Sequence, residues 1–345
     1  MSIEEKLRME YKRKSRALSV PKEPAAKVVA AFRDMSQDSK SGRHHNGSEK
    51  SAHRRTAFWL AAILLLSGFA YGGGKLLFQN QLGLWSLQLF SGGEDMLLDE
   101  AASEEIWSSL QDVKRELQPG EAAMVYFAAL AESTHPLYRN YPLFGVKNSL
   151  WLQESHAQVV NRMRKDGLQV LVPETLPDGY VFSDAFQGEP LSVNAGPEGL
   201  LIMEQLQDEI AVSGKRVAWA RMKKYEPASN LYTLAYVHEQ GDTLLVTVEA
   251  LEEQRVDQRW VVPNSTQVEE LNIRGNKASY TSGDDVPFSA TRYYQEVSWS
   301  IIDPSHANGQ YIYRVGSESK KMGKAELLRL AESFMYPHVE LRLAA

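Results

Sequence analysis

Apolar and polar positions follow three different rhythms along this chain. Over residues 1–18 the apolar residues Ile3, Leu7, Tyr11 and Leu18 share one helical face, with Lys6, Arg8, Lys12 and Arg13 elsewhere. Pro21 and Pro24 interrupt this helix, and Ala25, Val28, Val29, Phe32 and Met35 form the stripe of a second. Two short helices with narrow apolar faces cannot build a core by themselves, so this pattern asks for a partner. Residues 36–56 are polar, basic and rich in Ser, Gly and His, and read as a flexible linker.

The second rhythm is no rhythm at all. From Ala57 to Gly74 the chain carries no charged residue, and eighteen residues at about 1.5 Å each reach roughly 27 Å. Such a run predicts a membrane span, placed at 57–78, with Trp59 and Tyr71 near its ends as interfacial aromatics. Neither a buried soluble helix nor a signal peptide fits as well, because about 56 residues precede the run, far more than a secretory n-region holds. Arg54 and Arg55, backed by Lys50 and Arg43, crowd its N-terminal flank, whereas only Lys75 lies close beyond it. Positive charge stays inside, so the N-terminus is expected in the cytoplasm and the bulk of the chain outside.

Beyond the span the third rhythm sets in. Residues 79–93 are apolar enough to touch the membrane surface or the outer domain. Residues 96–117 read as a helix with Leu97, Ile106, Leu110, Val113 and Leu117 inward, followed by a turn at Pro119-Gly120. Ala122–Ala129 reads as a buried strand, its alanines leaving a helix open as the alternative, and 149–165 as a helix with Leu150, Val159, Val160 and Met163 inward. After residue 168 the texture turns to strands. Hairpins are expected at 231–249 around His238–Asp242, at 271–281 around Arg274–Lys277, and between 296–302 and 310–315, with a closing helix from Lys324 to Phe334. Strand meanders with few helices argue for an α+β outer region, an antiparallel sheet with packed helices, divided into a helical part at 79–167 and an α+β domain at 168–345.

Composition sharpens this picture. The overall charge of −6 hides a split: residues 1–56 hold 14 Lys+Arg against 7 Asp+Glu, and the rest hold 24 against 37. The absence of cysteine excludes disulfides, thiolate metal sites and cysteine nucleophiles, so an outer domain must rely on its core. No G-x-S-x-G, H-E-x-x-H or P-loop pattern occurs. His238-Glu239 lies in a hairpin turn, where solvation is the simpler reading, and Asp284-Asp285 beside Gly283 reads as a turn rather than a calcium site. Six tryptophans follow the span; most should be core, with some free to line a groove for peptidoglycan, lipid or peptide. No enzyme, cofactor, metal or direct nucleic-acid contact is expected from these residues.

One stretch carries a resemblance. Val172-Pro173-Glu174-Thr175-Leu176-Pro177-Asp178-Gly179-Tyr180 resembles the "P-x-x-L-P-x-G-Y" opening of an uncharacterised extracytoplasmic domain family of spore-forming Gram-positive bacteria, often found behind one membrane span. The later GNKASY turn, VSWS and YIYRV strands and KAELLRLAESF helix are similar to its remaining marks, over roughly residues 168–336. Proteins with this domain are regarded as anti-sigma factors or envelope sensors, and Ala17-Leu18-Ser19-Val20-Pro21 resembles the cytoplasmic start of several such factors. The resemblance implies a membrane-anchored regulator whose face Ile3, Leu7, Tyr11, Leu18, Val28, Val29 and Phe32 grips a sigma factor, while Arg54, Arg55, Trp59 and Tyr71 set the anchor. The zinc-binding type needs two Cys in its cytoplasmic helices, so only the zinc-free type fits. The alternative is a cell-envelope or sporulation-associated binding module with no sigma partner.

Overall fold

Leu76 begins a strand, and among the residues described after it short strands alternate with six α-helices. The computed structural model describes residues 75–168, 172–176, 179–191, 196–223, 225–251, 256–303 and 309–334. The chain divides into two units, Met1–Leu65 and Leu66–Ala345, and every described residue belongs to the second. This unit is α+β and mostly antiparallel.

Its strands are β1 (Leu76–Leu82), β2 (Trp85–Ser91), β3 (Ala122–Phe127), β4 (Leu143–Lys147), β5 (Val181–Gln187), β6 (Val217–Arg221) and β7 (Leu231–Val237). They continue with β8 (Thr243–Leu251), β9 (Val256–Val262), β10 (Gln267–Ile273), β11 (Asn276–Gly283), β12 (Tyr294–Asp303) and β13 (Gly309–Ser317). The helices are α1 (Glu100–Glu116), α2 (Ala128–Ala131), α3 (Pro136–Asn140), α4 (His156–Lys165), α5 (Gly196–Ser213) and α6 (Lys324–Ser333). A seven-stranded antiparallel sheet runs β10-β11-β12-β13-β8-β7-β5; two three-stranded sheets run β1-β2-β9 and β4-β3-β6.

The middle of the large sheet is buried on both faces. On one face Val246, Val248, Val297, Trp299, Tyr313 and Val315 meet α4 and α6. Helix α6 follows Gly323 and presents Leu327, Leu330, Ala331 and Phe334 at i, i+3, i+4, i+7 spacing, and Phe334 packs on Tyr236 and Tyr313. Burying each such side chain contributes about 1.5–3 kcal/mol. Helix α4 adds Val159 and Met163, one turn apart.

Helix α4 is shorter than the expected 149–165. Ser155 starts it, its backbone N–H capped by Gln158 Oε1 at 2.8 Å, a capping-box signal stronger than the apolar spacing upstream. Residues 149–155 instead run along β5, where Leu152 N–H donates to Ala185 O and Gln153 N–H to Asp184 Oδ1. Leu150, expected inward, is 58% exposed. Leu97 is likewise outside the helix expected to bury it, because Asp99 caps α1 by accepting from Ala102 N–H. Ile106, Leu110 and Val113 of α1 then pack on Val125, Phe127 and Val146 of β3 and β4, as the spacing predicts.

Two boundaries need correction. Residues 76–78, the end of the anticipated span, lie in β1, paired to β2 through a hairpin at Gly83-Leu84. The hairpin is fixed by the large sheet: Gln310 Nε2 donates to Leu82 O and Gln310 Oε1 accepts from Leu84 N–H at 2.8 Å. A Cβ on Gly83 would stand 2.5 Å from that Oε1, and its φ of +53° is left-handed, so the turn favours glycine. Residues 78–93 thus serve the α+β unit: Phe78, Trp85, Leu87 and Leu89 cover Leu251 and Ile312. The expected division at residue 167/168 also fails, since β9 pairs with β2, β6 pairs with β3, and α4 enters the core of the large sheet.

Candidate functional site

The second face of the large sheet is unusual because many of its buried residues are polar, beside the apolar Phe186, Leu231, Leu251 and Ile312. Thr233, Thr247, Ser279, Ser298, Ser300, Gln310, Glu296 and Arg314 are all buried. They align across neighbouring strands: Thr233 opposite Thr247, Thr247 opposite Arg314, Arg314 opposite Ser298, and Ser298 opposite Ser279. Strand alternation places these residues on one face and the apolar set on the other.

Arg314 is the centre. Its side chain is 3% exposed, and Nη1 donates to both oxygens of Glu189 at 2.9 and 2.7 Å. Nη2 donates to Glu249 Oε2 at 2.8 Å, and the Trp260 ring of β9 lies 5.9 Å from the guanidinium carbon. Burial works against the charge on Arg314, but Glu189, Glu249 and Glu296 outweigh it and hold the guanidinium firmly protonated. Burial pushes Glu296 up to about 7, opposed by Arg314 and reinforced by Glu189. Burial also raises Glu249, again opposed by Arg314. The Tyr294 hydroxyl donates to Glu296 Oε2 at 3.1 Å, and burial followed by that carboxylate raises the phenol well above its ordinary value.

Lys147, the last residue of β4, joins this region from the smaller sheet. It is 3% exposed, and burial lowers its ammonium to about 8, with Glu189 opposing and Lys114 assisting. Gly188 separates it from Tyr225: a Cβ there would sit 3.0 Å from Lys147 Nζ and 3.2 Å from Tyr225 Oη. Two cations and three carboxylates therefore share one interior, which reaches solvent at Glu189, whose side chain is 41% exposed.

A separate surface cleft of about 670 Å³ lies at the start of α1, lined by Leu97, Leu98, Ala102 and Thr134 among others. Arg216 on its wall is held by Glu105 at 3.3 Å and Glu132 at 3.5 Å.

The residues expected to bind a partner (Ile3, Leu7, Tyr11, Leu18, Val28, Val29 and Phe32) and those expected to set the anchor (Arg54, Arg55, Trp59 and Tyr71) lie outside the described residues. No helix among the described residues is long and apolar enough to cross a membrane. His238 sits in the expected turn against the Tyr180 ring, its Nδ1 accepting from Gln240 N–H. Asp284 pairs with Lys320 and Asp285 with Arg292, so both turn carboxylates are engaged. Trp85 and Trp299 are core, whereas Trp151 and Trp260 are about 40% exposed. The buried charges were not singled out from the sequence, yet each leaves a trace: a lone Glu249, Glu296 or Arg314 inside an otherwise apolar or small-residue strand, with opposite signs on strands that pair. No protein-family model, curated protein or solved structure matches the chain.

Glu296 gives a pH test. A carboxyl raised from 4.5 to about 7 binds its proton in the folded state while the unfolded chain has released it. Stability then falls as pH rises through that window, by on the order of 3 kcal/mol. Urea melts of residues 75–345 between pH 5 and 7.5 should show this slope, and Glu296→Gln should flatten it. An unchanged slope in the variant would exclude Glu296 as its source.

Proposed function

We propose that the chain is a single-pass membrane regulator of the anti-sigma class. The helices at 1–35 hold a sigma factor in the cytoplasm, the charge-free run crosses the bilayer, and the α+β region that follows receives an envelope signal. One observation carries this reading: an uncharged run, Ala57–Gly74, separates a basic segment from an acidic one. The α+β unit with a resemblance to outer domains of such regulators follows directly, its first strand starting at Leu76. The reading assigns the chain no catalysis and no cofactor; its partners are a sigma factor, the bilayer and a cell-wall or peptide ligand outside.

The face Ile3, Leu7, Tyr11, Leu18, Val28, Val29 and Phe32 would then be buried on the sigma factor, each large side chain contributing about 1.5–3 kcal/mol. Residues 1–50 should capture a sigma factor from a lysate without lipid, and Phe32→Asp should abolish it. Lys→Gln exchanges should matter little at moderate salt. If residues 1–50 bind anionic vesicles and no sigma factor, the anti-sigma reading fails and an envelope-binding module replaces it.

A further inference from the structure

Exposed leucines scattered singly need no explanation, because apolar atoms make up much of any protein surface. Leu76 and Leu77 are not scattered. They stand together at the start of β1, 43% and 36% exposed, and Lys75 alone separates them from the charge-free run that ends at Gly74. A regular strand would turn one of the two inward. Here the pairing with β2 shifts register: Leu76 pairs with Phe90, and Phe78 with Leu89. This bulge takes Leu77 out of the alternation, so both leucines stay exposed and the inward pattern starts at Phe78. The strand end that carries them is fixed, since Ser91 N–H donates to Lys75 O and Gly92 N–H to Val262 O, each at 2.8 Å. The far end of β1 is the Gly83 turn held by Gln310.

Chain length sets where these leucines can lie. As a helix the run at 57–74 reaches roughly 27 Å, against a hydrocarbon core of roughly 30 Å. A run this short has no residue to spare for a tether, and a short span draws on its flanks to make up the difference. The headgroup layer adds roughly 5–7 Å on each side of the hydrocarbon. Leu77 follows Gly74 by three residues, a reach of about 10 Å at full extension. Both leucines therefore emerge within the headgroup layer or at its margin. Lys75 suits the same depth, because a lysine stem lies along apolar surface while its ammonium reaches the polar layer.

We propose that Leu76 and Leu77 form a lipid contact, by which the Lys75 end of β1 docks on the bilayer surface. The contact is apolar, and the exposed Glu94, three residues past the end of β2, favours a zwitterionic surface over an anionic one. At its other end the same strand meets Gln310 of β13, so the lipid contact and the large sheet share one element. The inference rests on the run at 57–74 crossing the bilayer, and its test reads that run separately.

The chain has no cysteine, so one introduced cysteine carries a single nitroxide label. Leu65→Cys, Leu76→Cys, Leu77→Cys and Ile302→Cys are made separately in the full chain and reconstituted in phosphatidylcholine nanodiscs. Ile302 is 53% exposed and lies beside Gly83, at the far end of β1. Collisions of the label are read with oxygen, which concentrates in lipid, and with a nickel chelate, which stays in water. The ratio of oxygen to nickel collisions should be highest at Leu65, and several-fold higher at Leu76 and Leu77 than at Ile302. Equal ratios at Leu76, Leu77 and Ile302, with Leu65 still rich in oxygen collisions, overturn the lipid contact and leave the span standing. Few collisions with either reagent at Leu76 and Leu77 mean burial against protein, such as a second copy, and overturn it as well. Frequent nickel collisions at Leu65 sink the span, and the lipid contact with it. The two leucine positions are read independently, so if one variant fails to fold the other decides.

Discussion

Arg314→Met should destabilise residues 75–345 by about 3–5 kcal/mol at pH 8, the usual cost of removing one partner from a buried ion pair. Among the described residues the guanidinium is the charge that lowers both Glu249 and Glu296. Without it, two carboxylates remain in the interior and ionise only at a further cost. The loss should therefore shrink at pH 5, where Glu296, pushed up to about 7, binds its proton in the folded state and the missing cation matters less. Glu189 adds less to that cost, because its side chain is 41% exposed. Arg314→Lys should recover part of the stability and not all, since a single ammonium cannot repeat the two-oxygen contact with Glu189 and still reach Glu249. Urea melts at the two pH values check this. A difference below about 1 kcal/mol for Arg314→Met at both would mean that the cluster is solvated and its geometry energetically idle.

The parts of this fold that were legible in the sequence are those where local pattern and tertiary environment agree. β7 and β8 occupy Leu231–Val237 and Thr243–Leu251 because an apolar run, a Gly241-Asp242 turn and another apolar run leave few alternatives. Helix α6 was legible because its stripe has a single period. Helix α5 was not anticipated: Leu200, Leu201, Ile202 and Met203 form a block without clear periodicity, although Ile202 and Leu206 bury themselves on Met124 and Tyr126. Strand β9 also went unread, since half its residues are polar and its pairing with β2 is parallel, across more than 160 residues of chain. Long-range pairing leaves no local signature. The polar interior was hidden for a related reason. A charged residue in a strand normally marks the solvent face, and the sequence alone does not reveal that β13 is covered on both sides.

That same long-range pairing governs how the α+β unit must be cut. Residues 75–345 should give a cooperative unfolding transition, whereas residues 168–345 should not fold. The shorter piece keeps all seven strands of the large sheet, so a reading by strand count alone would expect it to survive. It loses α4, and with it Val159 and Met163 from one apolar face. It loses β3 and β4, which leaves β6 with no strand to pair with and removes Met124 and Tyr126 from beneath α5. It loses β1 and β2, which uncovers Leu251 and Ile312 and strips Gln310 of its hairpin partners. Above all it strands the buried charges, because Arg314, Glu249 and Glu296 lie on a face that the missing sheets help to close. Cavity, edge and desolvation penalties of this kind each run to about 2–5 kcal/mol, and together they exceed the roughly 5–15 kcal/mol that a domain has in reserve. Circular dichroism and tryptophan fluorescence during thermal melts of the two fragments decide the matter: a sharp, reversible transition in residues 168–345 would show that the polar face tolerates water and that the smaller sheets are appendages.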